Sequence, residues 1–570
     1  MKKQYFLDIA MFMLLTVFAA CSSDDNLDNG KGKVDVVSKF EFPVTFADYN
    51  SDVQVGNTRA AANSSDTLKH EFVNMGNGLV ADVTLQRDKE NLSGNPDKSA
   101  STRTLTNDSY TMLAYQSGVL KGELKGSISG GNFIPNTGDP ESMSLAPGNY
   151  DFVLYPTNRF TRSGNNLTST YASEYSILGR TNYTVTASPQ KQKVSFEMKH
   201  TAARVRVKFN TYIKVPQSNF NVNFSATNPT EVPSSAVYDA ATGTWSTSGT
   251  GGAFSFGGSS AWTESTNGSL CSYTSPNYSY IFPGSNITNL KANFGWGRIY
   301  TEDLNGKNLT FALTPVLASV ANGSYLISIT FHYNFLYLMT DGTTGLFSET
   351  TFGGGTKTPI AVVISQSKQL AAALEKTSYS GSSYYSGQVN NNVVNVPSFI
   401  PWTGTGVFSS DGADGYKFTW EASGSADGTT IKANEQTRFP AFYSAAHYTP
   451  TLPSGKTLTG SIVGKKWFLP SLGEVLKIYP ALKDLDTSAG FYARDMGGGM
   501  IDNTYWQLGM YSPLTPSGMA SMAFSQVNGV PLGGGLMITS SQSDTGQPIM
   551  ANYWIEIGAY SGEVRPFIHY

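Results

Sequence analysis

Ala203-Arg204-Val205-Arg206-Val207-Lys208-Phe209 alternates small or apolar residues with basic ones over seven positions, and Lys193-Val194-Ser195-Phe196-Glu197-Met198 alternates just upstream. Successive side chains of a β-strand point to opposite faces, so this pattern predicts strands with one face on a core and one in water. Similar runs recur along the first two thirds of the chain. They include Leu79-Val80 leading into Val83-Thr84-Leu85, Tyr110 to Tyr115, and Tyr150 to Tyr155 behind a Pro147-Gly148-Asn149 turn. Further on come Phe311-Ala312-Leu313, Tyr325 to Tyr333, Phe335 to Leu338 before the Asp341-Gly342 turn, and Pro359 to Ile364. The reading is a sheet-rich, sandwich-type protein.

At 570 residues the chain exceeds a single core, so about three domains are expected. Charged residues are only 14%, Tyr and Phe number 31 and 32, and the net charge of -3 includes no basic block, which argues against a nucleic-acid partner. The two cysteines, Cys21 and Cys271, leave no expectation of an intramolecular disulfide if Cys21 is modified. Cys271 sits in an alternating segment and is read as a buried strand residue.

The N-terminus carries an address. Lys2 and Lys3 precede an uncharged apolar run, Ile9 to Ala20, too short for a bilayer of about 30 Å, followed by Cys21 and Ser22-Ser23-Asp24-Asp25. This is similar to a bacterial lipoprotein signal, in which residues 1–20 are removed and Cys21 is acylated. The acidic pair resembles the surface-export signal of Bacteroidota lipoproteins. Residues 21–36 read as a flexible tether. Phe40 to Phe46 has strand character, with Pro43 indicating an edge or a strand start. Arg59, followed by Ala60, lies in a soft stretch of small and polar residues where a trypsin-like protease could bind extended backbone.

Gly, Ser and Asn segments around 241–275 read as long surface loops, and the Ser/Gly/Tyr/Asn-rich 376–395 as a linker. Beyond it the texture changes. Five of eight tryptophans (Trp402, Trp420, Trp467, Trp506, Trp554) fall after residue 396. Leu469 to Tyr479 is the best helix candidate, with Ser471 as cap, Glu474 three residues on, and Leu472, Val475, Leu476 and Tyr479 on one apolar face.

Several phrases carry a family resemblance: Tyr110 to Tyr115, Leu145 to Phe152, Phe196 to Val207, His332-Tyr333, Leu336 to Gly345, and Ile360 to Ile364 with Leu370 to Leu374. Over about 37–375 the chain resembles the fimbrillins of Bacteroidota. The resemblance implies two transthyretin-like β-sandwich pilin domains, at 37–200 and 201–375. It also implies export as an outer-membrane lipoprotein, and assembly at the cell surface with other pilin subunits. In that family an arginine-specific protease removes the N-terminal segment and a neighbour's strand fills the groove. Carried over, cleavage falls at Arg59–Ala60 and releases Cys21 to Arg59. Such donor-strand exchange is physically coherent, because a removed strand leaves unpaired backbone groups and apolar pockets.

Residues 396–570 resemble a compact α+β C-type-lectin-like domain, through Trp467-Phe468-Leu469-Pro470-Ser471-Leu472-Gly473-Glu474 and the closing Val564-Arg565-Pro566-Phe567-Ile568. Trp467, Leu469, Pro470, Ser471, Glu474, Arg565, Pro566 and Phe567 are then structural signature residues. A subunit whose last strand is folded into such a domain can accept a strand but not easily donate one, which implies a fibre tip. The alternative is a lipid-anchored adhesin or glycan-binding lipoprotein that does not polymerise. Tyr384, Tyr385, Tyr492, Tyr505 and Trp506 are the candidate contacts to a host or bacterial glycan or protein, since such rings give rigid contact area.

No catalytic motif is present, and the five histidines are too dispersed for a local metal motif. The chain is therefore read as a non-enzyme without cofactor or metal. Only paired carboxylates among Asp411, Asp414, Glu474 and Asp495 would suggest otherwise.

Overall fold

A computed structural model describes residues 32–50, 67–88, 108–136, 143–188, 191–215, 221–251, 254–255, 262–314, 316–377, 414–425, 427–483, 493–495, 506–508, 518–532, 537–542, 548–551, 554–557 and 562–570. The architecture is mostly β. A seven-stranded sheet near the N-terminus runs Val44–Phe46, Phe196–His200, Ile177–Val185, Gly148–Pro156, Tyr110–Gln116, Val119–Ser129, Asn132–Pro135 in spatial order. Its first and last strands approach each other: Val44 N–H donates to Gly131 O (2.8 Å) and Phe133 N–H to Phe42 O (2.9 Å). The sheet thus nearly closes into a barrel, which removes most of its exposed edge.

Two strands of this sheet, Tyr110–Gln116 and Gly148–Pro156, depart from the expectation of one wet face per strand, whereas Phe196–His200 keeps it, with Glu197 and Lys199 exposed. Every residue from Tyr110 to Tyr115 is buried. Tyr110, Met112, Ala114, Phe152 and Leu154 point into the barrel core. The alternate residues Leu113, Tyr115, Val153 and Tyr155 join a second core with Phe160, Leu167 and Tyr238. A separate four-stranded sheet, Thr161–Ser163, Asn166–Ser169, Ser235–Asp239 and Thr244–Ser248, accompanies that outer face. Period two survives in the two central strands, but both of their faces are dry over Tyr110–Tyr115 and Phe152–Tyr155.

A second large sheet contains Thr263–Asn267, Leu270–Thr274, Ala203–Thr211, Ser324–Tyr333, Leu79–Arg87 and Thr67–Gly76. It shares a core with the sheet of Asn221–Ala226, Asn289–Trp296 and Asn308–Ala312, including Val205, Val207, Phe209, Ile327, Ile329, Phe224 and Phe294. Asn77 and Gly78, at φ 52° and 85°, turn Thr67–Gly76 onto Leu79–Arg87, conformations that Asn and Gly accept readily. The stretch expected as loops at 241–275 holds the hairpin of Thr263–Asn267 and Leu270–Thr274, exposed on its outer strand. Cys271 lies in that hairpin, half-buried.

Among the described residues the sheets cross the expected boundaries in three places, one of them where Asn166–Ser169 pairs with Ser235–Asp239 on either side of residue 200. Leu79–Arg87, assigned to 37–200, pairs along its length with Ser324–Tyr333 in the second sheet, from Tyr325↔Arg87 to Tyr333↔Leu79. Leu370–Ala373, assigned to 201–375, pairs with Phe567–His569, which in turn pairs with Trp467–Phe468. One six-stranded sheet thereby runs from Thr344–Leu346 through Pro359–Ser365 to the C-terminal residues. Non-local pairing follows complementary apolar faces and not chain order, so sequential boundaries could not anticipate it.

Candidate functional site

The barrel is closed by residues before position 50. Val34–Asp35 pairs with Ser144–Leu145, and Asp35 caps the short helix Val36–Lys39 by accepting from Val37 N–H at 3.1 Å. Residues 34–36 are therefore folded into the barrel, which corrects the flexible tether expected over 21–36 for this portion. Val34, at 9% exposed, and Val36, fully buried, supply apolar anchors that a short sequence window does not reveal.

Next, Phe40–Glu41 runs parallel to Gln192–Lys193, and Val44–Phe46 runs parallel to Phe196–Met198. Backbone bonds reach both neighbours: Val194 N–H to Glu41 O (2.9 Å) and Phe196 N–H to Pro43 O (2.8 Å) on one side, with the 131–133 bonds on the other. Pro43 has no N–H, so it acts here only as an acceptor within a strand held on both sides. Phe40 and Phe42 stack with ring centroids 6.0 Å apart, and Phe42 meets Phe133 edge-on at 6.0 Å. Val34, Val36, Phe40, Phe42 and Val44 all belong to the barrel core, each contributing about 1.5–3 kcal/mol by burial. Without this segment, a groove with two open strand edges and apolar pockets would remain.

The segment is pinned again at its end. Tyr49 stacks on His200 at 3.9 Å, and the Arg204 guanidinium lies 4.1 Å from the same ring. Asn50 adopts φ 60° and is almost fully buried. Its side chain donates to Asp88 O (3.1 Å) and Ser324 O (3.3 Å) and accepts from Ser324 N–H (2.8 Å) and Arg87 Nη1 (3.0 Å). Asn322 closes the knot, its Nδ2 donating to Asp48 O at 3.0 Å. Sequence reading missed this knot; an aromatic followed by an asparagine suited to a left-handed turn was its only local signal.

Cys21, Arg59, Ala60, Tyr384, Tyr385, Tyr492 and Tyr505 lie outside the described residues. Trp506 falls in the Trp506–Leu508 strand, paired with Asp495 and Ile555. The C-terminal signature residues, in contrast, converge. Ser471 caps Leu472–Leu476, with Glu474 answering it in a capping box. The predicted single helix breaks into two, Leu472–Leu476 and Ile478–Ala481. Trp467, Leu469 and Phe567 are buried, and Ala373 N–H donates to Pro566 O (2.9 Å). Arg565 is fully buried and bonds four carbonyls, those of Ala373, Leu374, Val530 and Pro531, while lying 4.4 Å from the Phe524 ring. Burial lowers its pKa to about 10.

Two of the suspected carboxylates do meet. Asp414, Glu474 and His569 bring one ligand atom each within 4.8 Å of one another. The Glu474 Oε2, however, already accepts from Ser471 N–H (2.7 Å), Ser471 Oγ (3.0 Å) and Gly415 N–H (3.1 Å). A Cβ at Gly415 would sit 2.6 Å from that oxygen, which explains the glycine. Burial outweighs these bonds and lifts Glu474 to about 7. Its role is to hold the 414–415 turn on the helix start.

Comparison with known proteins gives one family. Residues 148–351 match the model described as fimbrillin-like. No curated protein sequence matches the chain. Among solved structures, a candidate cell adhesion protein from Bacteroides uniformis is 16% identical, covering 39% of this chain and 85% of its own, at a TM-score of 0.27. A candidate cell adhesion protein from Bacteroides ovatus is 12% identical, covering 52% and 92%, at 0.28. A fimbrial protein from Bacteroides vulgatus is 12% identical, covering 42% and 95%, at 0.24.

Proposed function

Taking the chain as a fimbrillin-like protein of the fimbrial and adhesin kind, we propose that it is a surface adhesin that accepts a neighbour's strand in place of its own residues 34–46. The observation that carries this reading is the position of Phe40 to Phe46. That stretch bonds strands on both sides and fills the barrel core with Phe40, Phe42 and Val44. A donor strand offering the same alternation would satisfy the same backbone groups and pockets.

In this proposal Cys21 carries the lipid that delivers the protein to the outer membrane and cell surface, and cleavage at Arg59–Ala60 permits exchange. The 396–570 region serves as the adhesive, C-type-lectin-like end. Phe567–His569 is hydrogen-bonded on both edges, so it cannot be donated without opening the six-stranded sheet. An acceptor of this kind belongs at the end of a fibre. The experiment is to replace Arg59 with Ala and follow chain size and fibre incorporation in surface fractions. A shorter wild-type chain beginning at Ala60, absent in the variant together with fibre incorporation, is the expected result. Equal size and equal incorporation would refute it.

A second reading, a lipid-anchored adhesin that never polymerises, is favoured by the Tyr49–Asn50 knot. That knot would retain residues 34–50 even after a cut at Arg59. Immunogold labelling separates the two: label at filament ends supports the first, label on the membrane alone supports the second.

A further inference from the structure

The C-terminal region holds a cleft of about 830 Å³ between the 375–377 stretch, the helix Pro440–Ala446 and the 447–451 loop. We infer that this cleft binds a neutral saccharide, with Tyr443 and His447 as the stacking platform and Glu375 as the hydroxyl acceptor. The inference rests on the adhesive reading above and names its ligand class and site.

The volume falls in the range of ligand-binding clefts, about 300–1,000 Å³. Tyr443 and His447 stand one helical turn apart with their rings stacked at 3.9 Å and 24°. His447 is exposed and Tyr443 half-buried. Such a pair offers a rigid flat surface to the C–H face of a pyranose ring. Opposite in chemistry is Glu375. Its Oε2 is set in place by Thr451 Oγ1 (2.8 Å), Thr451 N–H (3.4 Å) and Tyr448 O–H (3.5 Å). A carboxylate only accepts, so its ligand must donate, as a sugar hydroxyl does.

Two more observations narrow the class. Thr377 lines the cleft, and its Oγ1 is buried without a hydrogen-bond partner among the described residues. Buried polar atoms are usually paired, so a Thr377 rotamer that turns the hydroxyl toward the cleft would gain from a polar ligand. Among the described residues Lys376 is the one lysine in the lining, and it is paired with Glu563, so none of these residues offers an uncommitted ammonium to a sialylated or sulfated ligand. With a carboxylate, an amide from Gln436, several hydroxyls and aromatic faces, the lining suits an uncharged polyol better than an anion or an apolar peptide.

The test uses the purified full chain on a panel of immobilised neutral oligosaccharides, with sialylated and sulfated ones beside them. Retention of at least one neutral glycan is expected, weakened tenfold or more by Tyr443→Ala and by Glu375→Gln, with thermal unfolding unchanged in Tyr443→Ala. Tyr443 sits on the outside of its helix, and Gln at 375 can still accept from Thr451, so either variant suffices if the other unfolds. The inference is overturned if no neutral glycan is retained, if only anionic ones are, or if both variants bind like the wild type. Adherence of whole cells that persists in Tyr443→Ala would remove this site while leaving the adhesive reading intact.

Discussion

Tyr49 lies flat on His200, with ring centroids 3.9 Å apart and planes within 7°. The first residue belongs to the N-terminal segment, while the second ends the barrel strand Phe196–His200. Arg204 opens the next sheet and packs on the same tyrosine ring. Segment, barrel and second sheet therefore share one aromatic contact, and Asn50 beside it adds hydrogen bonds to residues 87, 88, 322 and 324.

Replacing Tyr49 with Ala should lower unfolding free energy by about 3–5 kcal/mol, the range for removing a large buried ring. Denaturant titration measures it. The same variant, cut after Arg59 with trypsin and run on a sizing column, should shed the N-terminal fragment faster than the wild type. An unchanged midpoint and unchanged fragment retention would show that the knot is unimportant.

Phe42→Ala removes a side chain only 2% exposed between Phe40 and Phe133. We expect a loss of about 3–5 kcal/mol, and increased hydrogen exchange at the Phe133, Val194 and Phe196 amides, which donate to this segment, and at the Val44 amide, which donates to Gly131 O. Exchange confined to other regions would contradict the closing-strand role.

Arg565→Lys should fail to restore what Arg565→Ala loses. Each leaves buried carbonyls of residues 373, 374, 530 and 531 short of donors, at about 1–3 kcal/mol per unpaired group. An ammonium cannot reproduce the planar fork that reaches both pairs. Hydrogen exchange at Phe567–His569 is the readout, and protection in the Lys variant equal to wild type would disprove the argument.

Two buried groups give opposite pH slopes. Glu474, raised to about 7, holds more protons folded than unfolded, so its share of stability is full below about pH 4.5 and is lost as pH rises to 7. Its size is at most about 3 kcal/mol. His332 stacks on Phe347 at 4.6 Å, and burial lowers its pKa to about 3. It stays neutral when folded, so its share is full above about pH 6.5 and is lost as pH falls toward 3. The wild-type curve should therefore be flattened between about pH 4.5 and 6.5. Glu474→Gln should rise with pH across that window, and His332→Phe should fall. Parallel curves for all three proteins would exclude both assignments.

Much of the fold could be read locally. Tyr110 to Tyr115, Tyr325 to Tyr333 and Ala203 to Phe209 are strands because alternation and β-branched or aromatic residues suit a pleated surface. The Ser471–Glu474 cap was equally plain, because it depends on four adjacent residues. The barrel-closing segment was half legible: Phe40 to Phe46 showed strand character, whereas Val34 and Val36 looked like tether. Tyr443, His447 and Glu375 were not legible as a group, since 68 positions separate Glu375 from Tyr443.

By itself the sequence determined what the strongly alternating and capped stretches become, since strand alternation, caps and turns are settled by neighbours within a few residues. Only the tertiary structure decided which strands share a sheet. It moved Leu79–Arg87 beside Ser324–Tyr333 and Phe567–His569 beside Leu370–Ala373. It also buried both faces of Tyr110–Tyr115 and of Phe152–Tyr155 by laying a second sheet over that side of the barrel. Backbone pairing is chemically the same for any two strands, so partner choice falls to the side-chain faces that bury the most apolar surface together, and those faces meet only once the chain has folded.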